Sequence, residues 1–312
     1  MKNIAFHSNQ LGIRGTEVAL YDYALYNEDI LGNKSYIISD MNSDMESLEK
    51  FKNRFDVFLY NNFNESIKYC EENNIEYVYY IKGGNNDGKI LPNVKNLVHS
   101  VFQYKDVHGD KYAYISKWLS NTMSDGKIPY VPHIVNLPNV GYDYRDYLGI
   151  PKSSIVFGRY GGYEQFDIEY VRVAVKEVAD NNKNIYFLFM NTEKFYETDN
   201  IIYIDPTYDL EVKSAFINTC DAMLHARMKG ESFGLTIAEF LSHNKQIITC
   251  IHGEDKNHID MIGNKGLYYS NYNEIKCILN EYKKGTDCYS DSVLEFSPTN
   301  VMNKFNEVFL SV

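Results

Sequence analysis

Short apolar runs alternate with longer amphipathic stretches along the first part of the chain, a pattern that predicts strands separated by helices. The stretch 16–27 carries apolar residues on one helical face, and Thr16 can cap its start. Ser43 and Glu46 have the spacing of a capping box, which predicts a further helix. Helices between strands indicate right-handed crossovers and a parallel sheet. The predicted strands are 3–8, 36–39, 57–60, 77–81, 96–99 and 112–115, with another helix at 65–72.

The alternation is interrupted between residues 128 and 151, where four of the seven prolines lie. Proline fixes φ and lacks a backbone N–H, so this stretch is predicted to be a connector. The pattern then restarts, with predicted strands 154–159, 185–190, 201–204, 222–226, 246–250 and 266–269 and helices 168–180, 210–219 and 235–242.

Two consecutive alternating halves predict an α/β protein with two Rossmann-like domains. Residues 1–150, including the connector, form the first predicted domain and residues 151–297 the second. A last amphipathic segment covers 298–312. Open parallel sheets bind ligands beyond the carboxyl ends of their strands, so two such edges facing each other would form a deep interdomain cleft.

The composition argues against several classes of protein. With 44% hydrophobic and 23% charged residues among 312, overall disorder is not expected. No apolar run approaches the ~20 residues that span a bilayer, and MKNIAFHSNQ lacks the apolar core of a secretory signal. A net charge of −11 disfavours nucleic-acid binding. The five scattered cysteines contain no C-x-x-C pair, which indicates reduced thiols, a cytoplasmic location and no zinc site.

The strongest candidate for chemistry is the segment 225–239, HARMKGESFGLTIAE, which is predicted to run from a strand end through a glycine turn into a helix. Backbone N–H groups at such a helix start, with Arg227 and Lys229 beside them, can bind an anion. Glu231 lies before the helix and Glu239 inside it, so both carboxylates can accept hydrogen bonds from ligand hydroxyls. The alternative is that the glycines only form the turn and both glutamates are solvated.

Other candidate residues also follow predicted strands. Arg159 ends the first strand of the second half and precedes two glycines, which suits a diphosphate; an exposed arginine on an ordinary loop is the alternative. The matching loop of the first half contains Gly12, Arg14 and Gly15 but lacks the G-x-G-x-x-G spacing. His99 closes another strand and can face the cleft. The sequence contains no Asp-x-Asp pair to hold a divalent ion on a nucleotide diphosphate, so no metal is expected.

The segment 230–239 resembles the signature of retaining GT-B-type glycosyltransferases of the family-four-like group, in which two glutamates are separated by seven residues. Further resemblances occur in the expected chain order, although only the double-glutamate segment is specific. They are the glycine loop 12–15, the strands 96–99 and 112–116, the stretch 131–135 before the linker, and 157–159 at the start of the nucleotide domain.

This resemblance implies a GT-B fold in which the first domain binds the acceptor and the second binds a nucleotide-diphosphate sugar. Residues 298–312 would form a helix that packs back on the first domain. Glu239 would accept hydrogen bonds from the ribose, and Glu231 would hold hydroxyls of the donor sugar. His99 would contact that sugar from the acceptor side.

The resemblance also implies how the leaving diphosphate is neutralised. Arg159, with Arg227 or Lys229, would supply the positive charge. The family commonly has a lysine six residues beyond the arginine, whereas this chain has Gln165. Either the second cation comes from elsewhere or diphosphate binding is weaker. The remaining expected binding residues are Gly12, Arg14, Gly15, Ser232, Phe233, Gly234 and Leu235.

The expected activity is retaining, metal-independent transfer of a sugar from a nucleotide-diphosphate donor to a glycan, a lipid-linked molecule or another hydroxyl acceptor, with no further cofactor. A sugar-nucleotide epimerase of the same fold and a non-catalytic nucleotide-sugar or glycan-binding protein are the alternatives. Trp118, with lysines nearby, allows peripheral contact with a membrane surface, although an ordinary half-buried helix explains it as well. The donor base, the sugar, the acceptor and the oligomeric state are not indicated.

Overall fold

The computed structural model describes residues 1–12, 15–285 and 288–311. The chain divides into two compact units. The first unit consists of Met1–Ile134 together with Glu295–Val312, and the second unit consists of Val135–Leu294. Each unit is built around its own parallel sheet, so each is described separately.

The first unit contains a six-stranded parallel sheet with the order β3-β2-β1-β4-β5-β6. This order reverses direction between β1 and β4, the topological switch point at which open α/β sheets bind ligands. The strands are β1 (Asn3–Ser8), β2 (Lys34–Asp40), β3 (Asp56–Tyr60), β4 (Tyr77–Lys82), β5 (Lys95–Ser100) and β6 (Lys111–Tyr114).

The second unit repeats this topology. Its six strands are all parallel and have the order β14-β12-β10-β7-β8-β9, so the switch point lies between β7 and β10. A separate two-stranded ribbon pairs β11 with β13. The strands are β7 (Ile155–Tyr160), β8 (Ile185–Met190), β9 (Ile201–Ile204), β10 (Ala222–His225), β11 (Gly230–Glu231), β12 (Gln246–Cys250), β13 (Asp255–Lys256) and β14 (Leu267–Tyr269).

Helices connect the strands, and their apolar faces cover the sheets. In α5, for example, Val171, Ala174, Val175 and Val178 are buried at helical spacing. No helix among the described residues has the length and apolar character needed to cross a bilayer. The helices are α1 (Gly15–Asp29), α2 (Met45–Lys52), α3 (Glu65–Glu72), α4 (Lys117–Ser124), α5 (Glu169–Asn181), α6 (Leu210–Thr219), α7 (Leu235–Ser242), α8 (Asn257–Ile262), α9 (Tyr272–Glu281) and α10 (Pro298–Phe305).

The boundary between the units differs from the sequence-based boundary at residue 150. Residues 135–150 belong to the second unit, because their backbone carbonyls accept hydrogen bonds from α6. Ser214 Oγ donates to the oxygen of Pro138 at 2.6 Å, and Asn218 Nδ2 donates to the oxygen of Val140 at 2.8 Å.

The carboxy-terminal segment contacts the core of the first unit. Helix α10 is followed by a π-helical turn, Asn306–Leu310. The ring of Phe305 lies 5.5 Å from that of Tyr23, and Phe309 lies 5.7 Å from Tyr79. These contacts explain why Glu295–Val312 groups with the first unit.

Both predicted helix caps are wrong. Thr16 lies inside α1, which already includes Gly15. The structure caps α2 with Asp44, whose side chain accepts a hydrogen bond from the backbone N–H of Ser47. Ser43 instead accepts a hydrogen bond from the backbone N–H of Leu11 at 2.9 Å. Both residues are good cap formers, and a contact that is distant in sequence decides between them.

Candidate functional site

The candidate site lies at the switch point of the second unit, where β7 and β10 are neighbours. Arg159 and Tyr160 end β7, and His225 ends β10. Because parallel strands present their carboxyl ends at one edge, these side chains come together with the loop that leads into α7. The two glutamates of the sequence signature follow on that loop and within that helix.

Two glycines shape this loop. Gly230 has φ +76°, and a Cβ atom added there would lie 2.0 Å from the backbone oxygen of Asp255. Its strand β11 therefore lies close to β13, which fixes the backbone at Glu231. Gly234 has φ +92° and precedes the first residue of α7. Both positions use the left-handed region that glycine adopts most easily.

We predict that Gly230→Ala displaces Glu231 and lowers the free energy of unfolding by roughly 1–3 kcal/mol, because a Cβ atom there meets backbone rather than a movable side chain. Gly263→Ala is the matched control, since Gly263 also has a positive φ but has open space around it. Urea unfolding of both variants measures the difference. Equal losses of stability would contradict the steric account.

Glu231 is held in place by two basic side chains. Arg227 Nη1 donates to Oε2 at 2.8 Å, and His225 Nε2 lies 3.3 Å from Oε1. The Nδ1 atom of His225 lies 2.8 Å from the hydroxyl of Thr249, so a neutral imidazole that donates from Nε2 accepts at Nδ1. Burial by itself raises the pKa of Glu231, but His225 and Arg227 outweigh it and lower the pKa to about 2. Glu231 is therefore a fixed carboxylate at neutral pH.

This pairing engages Arg227 within the site itself. The resemblance assigned Arg227 or Lys229 to the leaving diphosphate, whereas the structure places the guanidinium of Arg227 on Glu231. Lys229 lies exposed in the same loop. Nearby, His258 packs 5.1 Å from His225 between ring centroids, and burial lowers its pKa to about 3.

Arg159 is a buried cation at the end of β7, and only 4% of its surface is exposed. Its Nη1 donates to the oxygen of Asn191 at 3.2 Å and to the hydroxyl of Thr192 at 2.5 Å, and its Nη2 donates to the oxygen of Gly162 at 2.7 Å. All three acceptors are neutral. Among the described residues, Arg159 forms no ion pair. Burial lowers the pKa of Arg159 to about 10, so the group remains protonated at neutral pH.

Gln165 occupies the position at which the resemblance predicted a lysine. Its Oε1 accepts a hydrogen bond from the backbone N–H of Gly162 at 3.3 Å. The oxygen of the same glycine accepts from Arg159. Gln165 thus supports the loop that holds Arg159 but adds no positive charge to it.

Glu239 lies inside α7 and is almost fully buried. Tyr160, which ends β7, donates a hydrogen bond from its hydroxyl to Glu239 Oε2 at 2.5 Å. Burial raises the pKa of Glu239, while Lys213 and the hydrogen bond from Tyr160 act in the opposite direction. Tyr160 could not be assigned to the site from sequence, because its partner Glu239 lies 79 positions away.

Other residues of the predicted set surround these groups. Asn257 Nδ2 donates to the backbone oxygen of Phe233 at 2.7 Å, which anchors the turn before α7. Ser232 and Leu235 are half-buried on either side of Phe233 and Gly234. Sequence reasoning missed the supporting residues Asn191, Thr192 and Thr249, which carry no motif. His225 could have been found, since it is the last residue of a strand that enters the glycine turn.

The structure does not place His99 where its predicted role requires. His99 is fully buried in the first unit, with Nδ1 2.6 Å from the hydroxyl of Tyr79 and Nε2 2.9 Å from the backbone oxygen of Val131. Burial lowers its pKa to about 4. Both ring nitrogens are therefore engaged inside an aromatic core that includes Tyr23 and Phe309. The sequence pattern of a histidine at a strand end does not indicate whether its ring points outward or into the core.

The first unit has polar groups at its own switch point. Lys82, which ends β4, is buried and pairs with Asp87 at 2.7 Å. His7 Nε2, near the end of β1, lies 3.0 Å from the hydroxyl of Tyr60. Lys89 Nζ lies 3.4 Å from the same hydroxyl.

The predicted glycine loop follows β1. At Gly12 and Gly15, an added Cβ would meet no heavy atom of the described residues within 4 Å, so those surroundings do not require glycine. Arg14 lies outside the described residues.

Solved structures share this fold over nearly the whole chain. The Anabaena protein HepE in complex with UDP-glucose matches with a TM-score of 0.76 at 12% identity, covering 100% of both chains. A glycosyltransferase from Rickettsia africae matches with a TM-score of 0.71 at 15% identity, covering 99% of this chain and 97% of that one. A putative UDP-N-acetylglucosamine 2-epimerase from Listeria monocytogenes matches with a TM-score of 0.62 at 11% identity, covering 98% of this chain and 95% of that one.

These matches confirm the predicted α/β fold class with two Rossmann-like domains of the GT-B type. No protein-family profile matches the sequence, and neither does any curated protein.

Proposed function

We propose that this chain is a glycosyltransferase that moves a sugar from a nucleotide-diphosphate donor to a hydroxyl group of an acceptor, with retention of configuration and without a metal cofactor. The observation that carries this proposal is the buried guanidinium of Arg159 at the switch point of the second unit, which forms no ion pair within the described part of the chain. The fold shared with HepE, which was solved with UDP-glucose, and with a glycosyltransferase from Rickettsia africae supports it.

A diphosphate would supply hydrogen-bond acceptors and negative charge in direct contact with Arg159. A guanidinium has five N–H donors, and the three hydrogen bonds of Arg159 leave two of them for a ligand. A buried charge without a counterion is costly, so a buried cation held only by neutral acceptors favours an anionic ligand. The backbone N–H groups at the start of α7 add positive potential at the same edge of the sheet.

Glu231 fits the sugar side of the reaction. Breaking the bond between the anomeric carbon and the phosphate oxygen leaves positive charge on the sugar and negative charge on the leaving group. The carboxylate of Glu231, fixed by Arg227 and His225, accepts hydrogen bonds from sugar hydroxyls and keeps the anomeric carbon in position. Arg159 stabilises the departing diphosphate more in the transition state than in the ground state.

The proposed transfer needs no acid or base besides the substrates, because the leaving group takes up the acceptor proton. The acceptor oxygen forms a bond to the anomeric carbon on the face from which the diphosphate leaves. The acceptor proton passes to an oxygen of that leaving phosphate. Retention follows because attack and departure occur on the same face.

Glu239 is proposed to accept hydrogen bonds from the ribose hydroxyls through its carboxylate form, with Tyr160 holding one of its oxygens. We predict that Tyr160→Phe weakens donor binding, and that the loss grows as the pH falls. The hydrogen bond from Tyr160 lowers the pKa of Glu239, so its removal raises that pKa further and protonates the carboxyl at a higher pH. Calorimetric titrations between about pH 5 and pH 9 measure this shift.

The matched control is Tyr196→Phe. Tyr196 also donates its hydroxyl to a carboxylate, that of Asp180, but on the surface of the second unit. This variant should bind the donor with the wild-type pH dependence. A Tyr160→Phe variant whose donor affinity falls equally at every pH would argue against the proposed coupling to Glu239.

The acceptor is proposed to bind the first unit, at the switch point that carries the Lys82–Asp87 pair and the His7–Tyr60 contact. Its class is a glycan or a lipid-linked sugar. The reaction is proposed to take place in the cytoplasm. For a lipid-linked acceptor, the protein would contact the membrane surface peripherally.

An epimerase is the second candidate, favoured by the match to the putative 2-epimerase from Listeria monocytogenes. The proposed function is tested by incubating the chain with uridine, guanosine, adenosine and thymidine diphosphate sugars, with and without glycan acceptors. A transferase forms an acceptor product whose anomeric configuration matches the donor. Conversion of the donor sugar without an acceptor would instead identify an epimerase, and binding without turnover would identify a non-catalytic protein.

A further inference from the structure

Three tyrosines lie within six residues of the connector at the start of the second unit. Tyr142 is 50% exposed and Tyr147 is 87% exposed, and Tyr144 lies between them. The ring of Tyr144 is 6.3 Å from that of Tyr142 and 6.4 Å from that of Tyr147, measured between centroids. The planes of the neighbouring rings are inclined by 65° and 60°, so the rings form a cluster of differently oriented faces, here named the tyrosine platform.

A cavity of about 660 Å³ lies beside this platform, and Tyr142 is part of its wall. Ser154 and Ile155, where β7 begins, and Asp221, which precedes β10, also line it. The cavity is thus at the amino ends of β7 and β10, at the opposite edge of the sheet from Arg159 and Glu231. Its volume falls within the ~300–1,000 Å³ typical of small-molecule sites.

The framework of the cavity is rigid. Asp221 is buried and accepts hydrogen bonds at Oδ2 from Arg145 at 2.8 Å and from the backbone N–H of Val156 at 2.9 Å. Arg145 also donates to the backbone oxygens of Ser154 at 2.9 Å and Thr219 at 3.2 Å. These contacts fix the residue between Tyr144 and Asp146 to the sheet, so the platform is presented in a defined position.

The charges of the lining indicate a neutral ligand. The wall carries equal numbers of acidic and basic side chains, and Asp221 is already paired with both Arg145 and Lys284. A balanced wall attracts neither a polyanion nor a polycation, but its carboxylates and ammonium groups can bind hydroxyls. The charged lining residues are Asp143, Asp146, Asp221, Arg145, Lys152 and Lys284.

We propose that the tyrosine platform and this cavity form a second binding site for a neutral oligosaccharide, separate from the site of sugar transfer. Flat aromatic faces provide rigid apolar area for the C–H faces of sugar rings, and polar groups in an adjacent concave wall orient the hydroxyls. The choice of a glycan among neutral polar ligands rests on the proposed function. In that setting the site holds a distant part of an acceptor or product chain and increases its local concentration.

The test measures glycan binding without donor, so that its failure and the failure of the proposed function are distinguishable. Calorimetric titrations of the full chain use maltohexaose, cellohexaose and chitohexaose as probes. The double variant Tyr142→Ala/Tyr147→Ala should raise the Kd of the bound probe about tenfold or more, since two stacking faces are lost. Tyr104→Ala, which removes an exposed tyrosine from the first unit, should leave the Kd unchanged.

Thermal unfolding checks that each variant folds, which is expected because the substituted rings are exposed. Glu231→Gln should retain glycan binding, since Glu231 lies at the other edge of the sheet. Absence of binding to all three probes, or equal binding by the double variant, would overturn the proposal. Self-association of the wild-type chain that the double variant loses would also overturn it, because the platform would then be an interface between copies.

Discussion

Arg159→Gln should reduce the affinity for nucleotide-diphosphate sugars about 100-fold or more, while the free energy of unfolding without ligand changes by only about 1 kcal/mol. The two effects separate because Arg159 is a buried cation that forms no ion pair with the described residues. Replacing it with a neutral amide removes a desolvated charge that Glu231 and Asp167 stabilise without an ion pair and that an anionic ligand would contact directly. Calorimetric titration gives the affinity, and urea unfolding gives the stability.

Arg159→Lys is the comparison for this prediction. It keeps the charge but loses the planar group that donates to Thr192, Asn191 and Gly162. Its donor affinity should lie between those of the wild type and Arg159→Gln. A strongly destabilised Arg159→Gln variant with wild-type donor affinity would mean that Arg159 is a structural residue.

Glu231→Gln should lower the transfer rate about 100-fold to 1,000-fold with little change in the affinity for the donor, because the diphosphate is held mainly by Arg159. The substitution keeps the size of the side chain but removes the carboxylate that Arg227 and His225 fix in place. The loss of the partly exposed ion pair should cost about 1–2 kcal/mol of stability. Single-turnover kinetics separate the chemical step from binding.

Glu193→Gln is the matched control, since it breaks the ion pair between Glu193 and Arg172 in the same unit. It should leave the rate of transfer unchanged. Full activity in a folded Glu231→Gln variant would contradict the role proposed for the double-glutamate segment.

Much of the fold could be predicted because each strand is marked by an apolar run within a few consecutive residues. The strands 185–190, 201–204 and 246–250 coincide with β8, β9 and β12, since each is an apolar run bounded by polar or turn residues. The ribbon of β11 and β13 could not be predicted in this way, because each of its strands has only two residues. The connector's prolines indicate a break in the pattern but not the unit with which the connector packs.

The candidate site was predictable where it is continuous in sequence. The glycine turn, Glu231 and the start of α7 form one segment, and Arg159 ends a strand that the pattern identifies. The pairing of Tyr160 with Glu239 depends on two elements that meet only in the folded chain. The inward position of His99 depends in the same way on Tyr79 and Val131.

We expect the switch point of the second unit to bind the diphosphate of a nucleotide sugar. A thermal-shift screen selects the donor, because a ligand that binds only the folded state raises the melting temperature. A crystal structure with that donor then tests the claim directly. Phosphate oxygens should lie within hydrogen-bond distance of Arg159, with a sugar hydroxyl on Glu231. A donor bound elsewhere, or no nucleotide sugar bound at all, would contradict the account.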